Sequence, residues 1–442
     1  MAVELASPAV RAASAPRPTA APPTPGLVAR NAPPLALPGE HFAAALVFWL
    51  AGAAGLVWVA PELARGGFPL PRVVAVAHLF TLGWITTTIL GALYQFLPVA
   101  LGTPIRSERV AHLAFALYVP GLALFVGGMI AGAHAVMLPG AALFGTGLLL
   151  FLGNLAATLW RAPERTLTWW ALAAAAVFLL ATVVLGFSLT GNLRWGYLGA
   201  ARFAAIGVHL HVAVAGWVML VIVGVAHRLL PMFLLAHRAP EWPGKLAVVL
   251  LSAGSALLLA AHHFLVPAVK WTVAGLLAAG LAAFLAQAAL FFRHRRKPRL
   301  DPGLRLAGVA LGFLALALVL APFHLVHGLA RPQLATGYVL ALVLGGPTLF
   351  VAGHYYKIVP FLVWFHRFGP WVGKRPVPTV ADLYHAGAGN AAAALLGGGT
   401  AALVLAALTG TVPLARPAAA VFAAGAAIVF LQMLWTLTRR PG

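Results

Sequence analysis

The chain contains no cysteine. Disulfides, thiolate metal ligands, iron–sulfur clusters and the covalent haem attachment of c-type cytochromes are therefore excluded. Acidic residues are nearly as scarce. Only eight occur in 442 residues: Glu4, Glu40, Glu62, Glu108, Glu164, Glu241, Asp301 and Asp382. None falls in the middle of an apolar stretch. Ion- and proton-coupled transporters usually keep a carboxylate inside the membrane, so this scarcity weighs against that class. Charged residues of both signs make up 8% of the chain, against 62% hydrophobic residues. That balance excludes a soluble domain and implies a polytopic membrane protein in contact with lipid.

The formal charge of +21 raises the question of nucleic acid. The placement of the basic residues answers it. Apolar spans run over about 42–60, 72–97, 110–132, 134–159, 168–190, 203–227, 245–264, 268–292, 304–328, 333–358, 388–410 and 416–438. With the N-terminus inside, most of the 29 Lys and Arg fall on inner segments, the largest group being RHRRKPR at 293–299. This is the positive-inside pattern, so the basic clusters mark topology and no nucleic-acid partner is expected. Both termini then lie in the cytoplasm of a bacterial-type inner membrane. Residues 1–40, rich in Ala and Pro, are expected to form a disordered cytoplasmic tail, and 41–442 a single transmembrane domain.

One long unit occurs three times. Residues 77–99, AHLFTLGWITTTILGALYQFLPV, return at 210–232, LHVAVAGWVMLVIVGVAHRLLPM, and more faintly at 339–361, VLALVLGGPTLFVAGHYYKIVPF. Counted from His78, His211 and Leu340, Gly stands five places on (Gly83, Gly216, Gly345) and again at thirteen (Gly91, Gly224, Gly353). Tyr94, His227 and Tyr356 follow at sixteen, then Gln95, Arg228 and Lys357, and each copy closes on Pro98, Pro231 or Pro360. Trp84 and Trp217 are shared by two copies. The predicted fold is all-α, twelve transmembrane helices in three pseudo-repeated groups of four, with the repeated helices second in each group. At 100° per residue, the Gly, aromatic and Pro positions at thirteen, sixteen and twenty fall opposite the first residue of each copy.

Sixteen histidines are many for so few charges. In this topology seven reach one outer layer: His78 on span two, His209 and His211 on span six, His262 and His263 at the end of span seven, and His324 and His327 at the end of span nine. Neutral imidazole ligates haem iron and copper well, so such a layer suits a redox site served from outside. A bland alternative stands beside each: hydrogen-bonded interior histidines, or solvated residues at span ends. His209 and His211 are about 200° apart on a helix, so they serve two different sites on either side of span six. His324 and His327 share a face. Thr86, Thr87, Thr88, Tyr94 and Gln95 form a polar strip along span two, although membrane threonines commonly bond their own backbone.

Three groups of four spans, with His on spans two, six and seven, resemble subunit I of the haem–copper oxidases, above all the cbb-type branch. HLFTLGW…GALYQFLP at 78–98 is similar to the family's segment around a low-spin haem ligand, and the His pair of AHHFLVPAVKW resembles the family's copper-ligating pair. The chain also resembles the haem- and copper-containing membrane proteins of nitric-oxide stress. It departs from the family on span ten, where Tyr338 and Leu340 stand in place of a His-x-His pair. The resemblance implies a b-type haem between His78 and either His209 or His211. It implies a second metal, copper or another haem, on His262, His263 and the other span-six His, with His324 and His327 in reserve. It further implies electron transfer to oxygen or nitric oxide, as in an oxidoreductase fed by a cytochrome c-type or other donor subunit. The alternatives are a non-redox transporter, compatible with repeats and Gly/Pro-interrupted helices, and a structural or sensor homologue that has lost its cofactors.

Overall fold

The computed structural model describes residues 33–236, 238–261 and 266–440. Twelve of its helices are long and apolar enough to cross a membrane. They are α1 Ala36–Ala64, α2 Pro71–Leu101, α3 Glu108–Ala131, α4 His134–Trp160, α5 Leu167–Trp195, α6 Gly199–Leu234, α7 Trp242–Ala261, α8 Pro267–Arg293, α9 Pro302–His327, α10 Pro332–Trp371, α11 Ala386–Thr409 and α12 Val412–Thr438. Among the described residues there is no strand. The all-α, twelve-span fold expected from composition is the fold observed, and the chain is a multi-pass membrane protein. Apolar side chains such as Val47, Val177 and Leu431 cover the outside, where they contact lipid.

Two boundaries differ from the expectation. The first helix starts at Ala36, so residues 36–40 belong to a membrane helix and not to a tail; Leu37 is fully buried there and His41 bonds back to its carbonyl. α10 runs to Trp371 instead of ending near 358. Lys357, His366 and Arg367 interrupt its hydropathy without interrupting the helix.

The groups of four are arranged around three central helices. α2, α6 and α10 are buried over 72%, 67% and 83% of their most apolar stretch, against at most 56% for any other span. Each packs on the span before it: α2 on α1, α6 on α5, α10 on α9. The last two spans of each group form tight hairpins, α3/α4, α7/α8 and α11/α12, and each hairpin abuts the first span of the next group. The ring closes where Trp49 of α1 donates its indole N–H to the Ala426 carbonyl of α12 at 3.1 Å.

The repeated glycines explain the packing. A Cβ on Gly83 would lie 2.6 Å from Phe48 Cβ, and one on Gly216 would lie 2.7 Å from Phe178 Cβ. One on Gly345 would collide with Phe313. Thirteen places into each repeat, Gly91 faces His41, Gly224 faces Ala171, and Gly353 faces the backbone of Gly303 and Ala307. Both glycines of each repeat thus meet the same neighbouring helix. A regular α-helix would not allow this, because eight residues leave two positions about 80° apart. The reason lies between them. Leu79–Thr86, Val212–Met219 and Leu340–Thr348 are wide π-helical turns, one per repeat. A wide turn absorbs about one residue and brings the two glycines within roughly 20° of a common face. The simple 100° projection of the sequence therefore misplaces everything beyond the turn relative to the histidines.

Candidate functional site

His78 ends a regular α-helical stretch of α2, and the wide turn begins at the next residue. His211 does the same on α6. Each ring is anchored one turn back along its own helix. His78 Nδ1–H donates to the Val74 carbonyl at 2.7 Å, and His211 Nδ1–H to the Gly207 carbonyl at 2.7 Å. Anchoring Nδ1 on a carbonyl fixes the tautomer and leaves Nε2 as the free lone-pair nitrogen.

The two rings face different neighbours. His78 meets His209, with ring centroids 6.5 Å apart and planes 29° from parallel. Neither Nε2 of this pair is hydrogen-bonded among the described residues. His209 Nδ1 is buried without a hydrogen bond. Gly186 makes room for the ring, since a Cβ there would stand 3.2 Å from its Cε1. Beside the pair lies a cavity of about 170 Å³ lined by α1, α2, α6 and α10, almost entirely apolar. Leu56, Val59, Ile206, Leu340 and Leu344 form much of its wall.

His211 instead meets Tyr338 of α10, with centroids 5.9 Å apart and planes 22° from parallel. Its Nε2 accepts the Tyr338 O–H at 3.0 Å. Both of its ring nitrogens are therefore engaged. His324 of α9 stacks against Tyr338, with centroids 5.0 Å apart and planes 17° from parallel. Its Nδ1 is buried without a hydrogen bond. These three side chains and Lys270 line a second cavity, of about 480 Å³, between α6, α7, α8, α9 and α10. His209 and His211 thus serve separate cavities on two sides of α6.

The geometry sorts the remaining histidines. His327 lines neither cavity. His262 and His263 lie outside the described residues. His134 opens α4, at the start of the expected span, and its Nε2 meets the Leu193 carbonyl at 3.1 Å. His227 and His354 do not bond to one another: His227 Nε2 pairs with Glu241 at 3.4 Å, and His354 Nδ1 bonds the Phe350 carbonyl at 2.8 Å. Among the described residues no three His, Asp or Glu side chains converge as a metal-binding group. Among the described residues these histidines form two separate clusters, not one.

Sequence reasoning missed Tyr338 as a site residue, although the signal was available. Tyr338 stands two places before Leu340, as His209 stands two places before His211. The interface between repeats one and two therefore carries His78 and His209. That between two and three carries His211 and Tyr338 at equivalent positions. At the third, Leu340 and Val76 are the equivalents. The polar strip of α2 also divides: Thr87 bonds the Leu82 carbonyl at 2.9 Å, whereas Thr88 meets the Tyr355 hydroxyl at 3.0 Å.

A charged cluster at the N-terminal end of α9 was missed as well. Asp301 caps the first turn of α9 through Leu304 N–H at 3.1 Å and accepts from Lys297 at 2.6 Å and from Lys357 of α10. Burial pushes its carboxyl upward, but the hydrogen bonds from the two lysines outweigh this and hold it below the ordinary aspartate value.

Compared with protein-family models and with curated proteins, the chain matches none.

Proposed function

We propose that this membrane protein binds a b-type haem between α2 and α6, which His78 and His209 would hold. The ring separation supports this reading. Two imidazole–metal bonds of about 2 Å, with about 1.1 Å from each nitrogen to its ring centre, put centroids about 6.3 Å apart. The observed 6.5 Å is close to that. The free Nε2 atoms, the carbonyl behind His78 and the apolar wall all suit an uncharged macrocycle plane. The cavity, at about 170 Å³, takes only part of a porphyrin, so loading has to move Leu56, Ile206 and Leu340 outward.

When bound, the haem supplies one-electron transfer. His78 and His209 would both hold the group, an arrangement suited to electron transfer; reduction of oxygen or nitric oxide would need one of the two imidazoles left free of it. Copper has weaker support. His211 has no free ring nitrogen, so a copper site rests on His262 and His263, outside the described residues. The acceptor gas and a donor subunit enter only through the resemblance to haem–copper oxidases; an inner-membrane orientation with both termini cytoplasmic rests on the positive-inside pattern alone.

The test is the optical spectrum of the detergent-purified protein, oxidised and dithionite-reduced, with haem and copper quantified on the same sample. A sharp reduced α-band with near-stoichiometric haem is expected. A colourless protein from haem-supplied cells would overturn the proposal and leave transport or a structural role.

A further inference from the structure

We propose that the larger cavity is a binding site for a membrane-borne quinol or quinone. The haem reading assigns this cavity nothing, and its shape and chemistry are those of an amphiphile site. Along α6 it extends from Phe203 to Met219, sixteen residues or about 24 Å of helix. Its polar side chains, His211, Tyr338, His324 and Lys270, gather toward the outer end. The inner end is apolar, closed by Met219, Leu251 and Leu281. A ligand matched to this space has a compact polar head and a long apolar tail.

The polar end selects the head. No carboxylate lines the cavity among the described residues, so nothing there favours a cationic head. The single ammonium, Lys270, is directed to the Leu325 carbonyl at 3.3 Å. The others are neutral aromatic groups. Because His211 Nε2 takes the Tyr338 proton, the Tyr338 oxygen keeps lone pairs that accept from a ligand hydroxyl. His324 Nε2 makes no hydrogen bond among the described residues and, unlike Nδ1, is not sealed from contact. A planar ring bearing hydroxyl or carbonyl groups can bond these two residues and lie against their parallel faces. A phosphate head would find one ammonium and no backbone nest.

The repeat supplies a separate reason for the open space. Trp84 and Trp217, six places into repeats one and two, each reach the preceding central helix around the ring and fill the gap. The third repeat has Gly346 at that place. Met219, which would face a third indole by the same symmetry, lines the cavity instead.

Phe68, Ile206, Leu210, Val214 and Val339 are walls common to both cavities. A quinol bound here lies next to the proposed haem site, where a membrane-soluble donor would serve it; that placement rests on the haem reading, while the binding itself does not.

The experiment titrates the purified full-length protein with a benzoquinone carrying a ten-carbon tail, by calorimetry, in nanodiscs of defined lipid. Saturable one-to-one binding in the micromolar range is expected. Tyr338→Phe should weaken binding of the corresponding quinol, whose hydroxyl donates to the Tyr338 oxygen, about tenfold, the effect of one lost hydrogen bond. Leu258→Trp and Ala321→Phe, which narrow the channel, should each abolish it while thermal melting shows the variant folded; either one suffices. Absence of saturable binding to the wild type overturns the proposal, as does unchanged affinity in a folded channel variant. Displacement of the quinone by stoichiometric phosphatidylglycerol would make the cavity a structural lipid site. His78→Ala separates the two readings: it should lose haem and keep quinone affinity. A haem-loaded protein without quinone affinity overturns this inference alone, and a colourless one that binds quinone overturns the haem reading alone.

Discussion

Trp84 donates its indole N–H to the Thr348 carbonyl at 3.1 Å, joining the first repeat to the third. Trp217, its counterpart, donates to the Thr86 hydroxyl at 3.3 Å, joining the second to the first. Trp84 is also sandwiched between Trp49 and Tyr355, each 4.5 Å away, and is fully buried. Trp84→Phe keeps most of the apolar contact and removes the indole bond to the Thr348 carbonyl. A loss of about 1–3 kcal/mol is expected, read as an earlier thermal transition in detergent by tryptophan fluorescence. An unchanged midpoint would mean that the indole bond does not hold the repeats together.

The glycines are a second test of the repeat. Gly83→Ala and Gly216→Ala push a methyl against Phe48 and Phe178 and should each cost about 1–3 kcal/mol. Gly127→Ala, with nothing within 4 Å, should be neutral or stabilise by helix propensity alone. Equal effects at all three positions would argue against close packing of α2 and α6 on α1 and α5.

For the histidines, His78→Ala and His209→Ala should each remove the reduced α-band or shift the spectrum away from a low-spin form. His327→Ala, outside both cavities, should leave it as it is. Loss of haem in His327→Ala with retention in His209→Ala would refute the assigned ligand pair.

At the N-terminus of α9, Asp301→Asn leaves Lys357, only 14% exposed, facing an uncharged acceptor. Breaking such a buried pair costs about 3 kcal/mol. The pH dependence follows from the depressed Asp301 value. A carboxyl held low contributes stability that is complete above its ordinary range. That stability is lost as pH falls below about 4, toward the folded-state value. Melting of the wild type followed from pH 7 to pH 3 should therefore show an acid-side decline that Asp301→Asn lacks.

The sequence by itself determined that the chain crosses a membrane twelve times, because long apolar runs and sparse charge leave no other fold. It also determined the threefold repeat, since the glycines that let α2, α6 and α10 approach their neighbours must recur wherever the same packing recurs. It placed His78, His209 and His211 on α2 and α6, and their periodicity separated His209 from His211. Only the tertiary structure decided that His209 faces His78 while His211 faces Tyr338. That outcome depends on helix neighbours and on wide turns whose extra residue no hydrophobic pattern reveals. The Lys357–Asp301 pair was hidden for a related reason: its members are 56 residues apart and meet only because α10 packs on α9.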